Sequence, residues 1–155
     1  MIRLMAVAVV LSLWGCGGGD EEGVPTIKVD PAFWEGPLTV KGTISLPADA
    51  ASGRFTQFEF MRVNAGLHSG NSVQAGPDTT ASKIVRFEIA GLEDGEYKFR
   101  FFADQSGDSR VGPGDLEGWY GGTVENPIQS REAGLVLKLE GRSHEGIDFG
   151  VALAP

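Results

Sequence analysis

From residue 37 onward, apolar side chains recur at alternate positions in short runs separated by turns bearing glycine or proline. Val40, Gly42, Ile44 and Leu46 fall on one side of the first run, with Thr39, Lys41, Thr43 and Ser45 on the other, until Pro47 ends it. A period of two is that of a strand with one buried face, because successive side chains leave opposite faces of a pleated backbone. The same pattern predicts a strand over 54–63, with Phe58 and Phe60 opposite Gln57, Glu59 and Met61. Residues 66–82 are polar and predict a long loop holding one short edge strand around Val73. The clearest hairpin follows: Val85, Phe87 and Ile89 alternate with Arg86 and Glu88, residues 91–95 turn, and Tyr97, Phe99 and Phe101 alternate with Lys98 and Arg100. Further strands are expected at 119–124, at 135–140 with Leu135, Leu137 and Leu139 inward, and at 147–151.

About seven such strands cannot leave their apolar faces in water, and two sheets packed face to face are the economical solution. The expectation is therefore an all-β, antiparallel β-sandwich over residues 37–155, with a closed barrel as the alternative. The 23 glycines, set between short apolar runs, agree with a turn-rich β architecture.

The N-terminus follows a different pattern. Arg3 is the only charge before Asp20, and a mostly apolar run over 4–13 leads to Trp14, Gly15 and Cys16. These are the parts of an export signal over residues 1–15, and the run is shorter than the roughly twenty residues that span a bilayer. Cys16 is the only cysteine, so no intramolecular disulfide can form. Leu13-Trp14-Gly15-Cys16 resembles the lipobox of bacterial lipoproteins, with an aliphatic residue three before the cysteine and a small one just before it. Trp14 stands where that pattern usually has a small residue. The resemblance implies lipidation of Cys16, and two or more acyl chains give stable anchoring without a span. Gly17-Gly18-Gly19 and the acidic Asp20-Glu21-Glu22 then predict a flexible, solvated tether within residues 16–36. Gly17, rather than Asp, follows the cysteine; by the same resemblance this favours the outer over the inner membrane.

The chain carries a net charge of −8, and loss of Arg3 with the signal moves it one unit further negative. Such a surface repels phosphates and argues against a nucleic-acid partner. It suits a cation-binding role or a soluble face held off an anionic membrane.

Phe87-Glu88-Ile89-Ala90-Gly91-Leu92-Glu93-Asp94-Gly95-Glu96-Tyr97 resembles the hairpin of transthyretin-like modules, including carboxypeptidase regulatory-like domains. In these a strand ends in Gly-Leu, turns to a glycine and restarts with a tyrosine two residues on; Glu93 and Asp94 occupy the turn here, where prolines are common. The resemblance implies a seven-stranded sandwich used for support or binding.

The loop after the Tyr97 strand is the one segment with a specific chemical proposal. Counting from Asp104, oxygen-bearing side chains fall at position three (Ser106), five (Asp108) and twelve (Asp115), and Arg110 at seven offers its backbone carbonyl. Calcium takes six to eight oxygen ligands, and this spacing lets one loop wrap one ion. Ser109 and Gly112 stand where a calcium loop has its turn glycine and a further ligand, so the ion would be held weakly. The segment also resembles the Asp-x-Asn-x-Asn-Gly-x-x-Asp-Pro-Gly-Asp/Glu run of exported bacterial sandwich proteins, matched by Asp104, Gly107, Pro113, Gly114 and Asp115. A second reading stays open, in which short polar side chains bond local amides and the loop satisfies itself without an ion.

Catalytic signals are missing: there is no Gly-x-Ser-x-Gly elbow, phosphate loop or Cys-His pair. His68 and His144 have no ligand neighbour at a useful spacing and read as surface histidines. Adjacent strand residues face opposite ways, so one of Trp119 and Tyr120 could present a ring to a sugar or peptide. The expectation is a non-enzymatic, membrane-anchored binding or scaffold module with an unknown protein or glycan partner. The alternatives are a carbohydrate binder using these aromatics and, further off, a hydrolase using paired carboxylates.

Overall fold

A computed structural model describes residues 23–29, 35–50, 55–63, 70–75, 83–108 and 110–155. The signal segment, Cys16, the Gly17–Glu22 part of the tether, His68 and Ser109 lie outside the described residues.

Among these residues the fold is all-β, with ten strands in two sheets and no helix. The strands are β1 (Thr26–Val29), β2 (Leu38–Ser45), β3 (Phe55–Arg62), β4 (Gly70–Ala75), β5 (Ile84–Leu92), β6 (Gly95–Asp104), β7 (Leu116–Trp119), β8 (Leu137–Leu139), β9 (Phe149–Gly150) and β10 (Ala152–Leu153). One sheet has the order β1-β5-β2-β9 and the other β10-β7-β6-β3-β4, with β8 paired to β6. Strand β6 is the spine of the larger sheet. Residues Phe55–Arg62 line one of its edges along almost its full length, and β7 and β8 share the other.

The alternation read from the sequence becomes the core. Val40 and Ile44 of β2, Val85, Phe87 and Ile89 of β5, Phe58 and Phe60 of β3, and Tyr97, Phe99 and Phe101 of β6 are all buried. The Phe58 ring of the larger sheet lies 4.8 Å from the Phe87 ring of the smaller, and Phe87 lies 6.1 Å from Phe99. Both sheets therefore feed one aromatic core. Each fully buried ring contributes roughly 1.5–3 kcal/mol by area. The turn after β5 passes the chain from one sheet to the other, and the Tyr97 hydroxyl closes it by donating to the Glu93 carbonyl at 3.0 Å.

Five expectations are corrected. The segments on either side of the Leu92–Gly95 turn do not form a hairpin, because β5 pairs with β1 and β2 while β6 pairs with β3, β7 and β8 in the other sheet. The ladders are not uniformly antiparallel, because β1 pairs with β5, and β2 with β9, in parallel. Strand β1 falls inside the stretch expected to be tether, and Ile27 and Val29 are buried there. The strand expected from Trp119 onward instead ends at Trp119 and begins at Leu116. Gly118 conceals it in the sequence: a Cβ there would lie 2.5 Å from the Gly150 carbonyl oxygen, so a glycine occupies what period two would mark as an apolar position. In the 135–140 run, Leu137 and Leu139 face inward, whereas Leu135 is 53% exposed because the strand begins only at Leu137.

Candidate functional site

The aspartates of the oxygen-rich loop meet because of sheet register. The last β6–β7 rung pairs Ala103 with Leu116. Asp104 and Asp115 are the next residues outward on each strand, at the base of the 105–114 connection. Both are buried, at 1% and 0% exposure, and Asp108 reaches back from the exposed part of the loop. One carboxylate oxygen from each of the three lies within 4.8 Å of the others. Like charges opposed across a ladder destabilise it, so the arrangement needs compensating positive charge or donors.

Backbone amides supply part of that compensation. Asp115 Oδ1 accepts from the N–H groups of Gln105 (2.9 Å) and Ser106 (3.0 Å), and Oδ2 from Gly112 (2.9 Å). Asp104 Oδ1 accepts from the Gly107 amide at 2.6 Å and the Ser106 hydroxyl at 3.1 Å. Gly107 has φ near +81°, the left-handed conformation that turns its amide back toward Asp104. Asp108 Oδ1 accepts from the Arg110 amide at 2.8 Å. The loop base is also tied to the C-terminal segment, since Ala154 N–H donates to the Asp115 carbonyl at 2.7 Å.

Three of the residues singled out in sequence, Asp104, Asp108 and Asp115, are thus brought together, and Ser106 is bonded to the first of them. Arg110 enters this network as an N–H donor to Asp108. Hard carboxylate oxygens at this separation suit a hard divalent cation such as calcium. The same hydrogen bonds also show how the loop holds its shape through local amides.

The aromatic pair does not form an open platform. Trp119 is 4% exposed, with the Arg100 guanidinium 5.6 Å from its ring centre. Tyr120 is half-buried and packs edge-on against Phe99 at 6.2 Å. The surface-histidine reading also fails for His144, which is half-buried beside Val40 with its Nε2 enclosed.

Two clusters escaped the sequence reading. Arg100 sits between Glu59 at 3.1 Å and Glu117 at 2.8 Å and lies over both Phe102 and Trp119. Its partners are distant in sequence, and only the Glu59–Arg100 register and the adjacent β7 strand join them. The outer face of the smaller sheet bears a groove of about 340 Å³ lined by Lys28, Lys41, Arg86, Glu88, Glu145 and Asp148, among others. Its charges alternate across strands: Glu88 lies between Lys28 and Lys41 in register, and Lys41 is 3.5 Å from Glu88. Asp148 Oδ1 is occupied by the Thr43 amide and hydroxyl.

No helix among the described residues is long and apolar enough to cross a membrane. No protein-family model matches the chain, and comparison with curated proteins and with solved structures gave no match.

Proposed function

We propose that the chain is a bacterial lipoprotein, exported and lipidated at Cys16, whose two sheets form a β-sandwich of transthyretin-like or Ig-like type. The domain is a non-catalytic binding or scaffold module, and Asp104, Asp108 and Asp115 hold a calcium ion that stiffens the β6–β7 connection. The convergence of three carboxylates within 4.8 Å, two of them buried, is the observation that carries the ion. Lipobox-like Leu13-Trp14-Gly15-Cys16 carries the anchor. Glu59 and Glu117, which a hydrolase reading would enlist as paired carboxylates, are both ion-pair partners of Arg100. A carbohydrate-binding role through Trp119 and Tyr120 has lost support, since Trp119 is buried and Tyr120 is half-buried against Phe99.

Metabolic labelling with a radioactive fatty acid tests the anchor. The wild-type chain takes up label and sediments with the cell envelope, at the outer membrane under the sorting reading; Cys16→Ser does neither. An unlabelled wild-type chain would overturn the lipoprotein reading. Calcium titration followed by melting tests the ion and is worked through in the Discussion.

A further inference from the structure

Strand directions fix which end of the sandwich the N-terminal segment enters. Strand β5 ends at Leu92 and β6 starts at Gly95, so these two strand ends lie together. Their other ends, Ile84 and Asp104, therefore lie at the opposite pole. Strand β1 runs parallel to β5 with Thr26 beside Arg86, and the Arg86 amide donates to the Pro25 carbonyl. The chain therefore enters the fold at the Ile84–Asp104 pole. Thr26 is ten residue steps from Cys16, a span of at most about 35 Å when fully extended.

The same pole carries three of the five large exposed apolar side chains of the described residues: Ile84 (46% exposed), Val111 (44%) and Leu153 (44%). Ile84 opens β5, Val111 projects from the 105–114 connection, and Leu153 pairs with Leu116 beside the Ala103 rung. The other two, Leu135 and Val136, lie next to Leu137, which pairs with Tyr97 near the far end of β6.

We infer that this pole docks onto the lipid surface to which the chain is anchored, with Ile84, Val111 and Leu153 entering the interfacial region. The inference rests on lipidation of Cys16. A tether of this reach holds the pole near the bilayer, and exposed apolar side chains there lose contact with water by insertion. The acidic loop at the same pole makes an uncharged surface the cleaner partner for testing apolar docking.

The experiment uses the full chain purified from membranes and reconstituted into phosphatidylcholine vesicles, with Cys16→Ser protein free in solution as reference. The mass of the Cys16 peptide is read first, then amide hydrogen exchange. Docking slows exchange at least tenfold over 83–85, 110–113 and 152–154 in vesicles, while 92–95 and 140–142 are unchanged. The double variant Val111→Asp and Leu153→Asp, checked to melt like wild type, loses that protection while remaining anchored. A Cys16 peptide without lipid overturns the anchor reading and this inference with it. A lipidated chain that exchanges equally in vesicles and solution, or protects the Leu92–Gly95 turn instead, overturns this inference alone.

Discussion

Asp115→Asn separates an ion-binding loop from one that satisfies itself. In wild type the Asp115 carboxylate is fully buried, accepts three amides and lies within 4.8 Å of two further carboxylates. At that separation and an effective dielectric of about 20, repulsion is about 3.5 kcal/mol from each neighbour and about 7 kcal/mol from the two. Asparagine relieves it. The replacement also turns one acceptor oxygen into a donor facing an amide and weakens the remaining bonds, at about 1–3 kcal/mol for the unsatisfied group and about 1 kcal/mol for each bond no longer charge-assisted. In chelator the relief outweighs these losses, so the variant melts no lower than wild type. Calcium stabilises only the intact site. For a site with Kd of about 10⁻⁴ M, a 2 mM ion stabilises wild type by roughly 1.8 kcal/mol. For a domain of this size that is a rise of about 5 °C in melting temperature. The variant should show less than a quarter of that rise. Differential scanning calorimetry in chelator and in 2 mM calcium, with magnesium as control, reads both numbers. A wild-type shift below 1 °C, or an equal shift in the variant, would refute the ion and leave the amide network as the whole account of the loop.

Three further outcomes follow from other parts of the fold. Burial pushes the Tyr97 phenol above its ordinary value, against the lowering effects of Arg62 and of its bond to Glu93. The neutral phenol thus stabilises the fold fully below the unfolded pKa near 10, and that contribution is lost as pH rises through the higher folded value. Tyr97→Phe should cost about 1 kcal/mol at neutral pH through the lost hydroxyl bond and remove part of the alkaline fall, read as denaturation midpoints from pH 8 to 11. Arg100→Met should destabilise by about 2–3 kcal/mol, since it strands Glu59 and Glu117 on a largely covered face; Glu59→Gln combined with it should recover part of the loss in urea melts. Gly118→Ala forces a Cβ toward the Gly150 carbonyl and should cost about 1–3 kcal/mol, while Gly114→Ala meets no neighbour and tests only its left-handed φ.

The parts legible in the sequence are those whose signal is local. Phe58 and Phe60, Phe87 and Ile89, and Phe99 and Phe101 announce buried faces because period two is written within each strand. Asp104 to Asp115 could be counted off as a loop, and the turn through Glu93 and Asp94 could be placed, but a short turn reads as a hairpin and gives no sign that it carries the chain from one sheet to the other. What stayed hidden depends on partners far along the chain. Ile27 and Val29 make too short a run to read as a strand until β5 lies beside them. The parallel joining of β2 to β9 leaves no trace in either segment, and Gly118 looks like a turn residue until β9 is seen against it. Arg100 reads as an ordinary outward cation; only register reveals that it bridges two carboxylates between two rings. Trp119 and Tyr120 misled for the converse reason, because residues 128–135 bond back to both and nothing local says so.

The parallel seam between β2 and β9 also governs when the molecule can form. Thr43 and Asp148 bond across a separation of 105 residues, and β1 waits for β5 in the same way. Contacts of such long sequence separation close slowly, on the order of milliseconds to seconds. The smaller sheet therefore has an open edge along β2 until residues 144–150 lie against it. That sheet is therefore completed late, after the β1-β5-β2 ladders that need no partner from beyond residue 92.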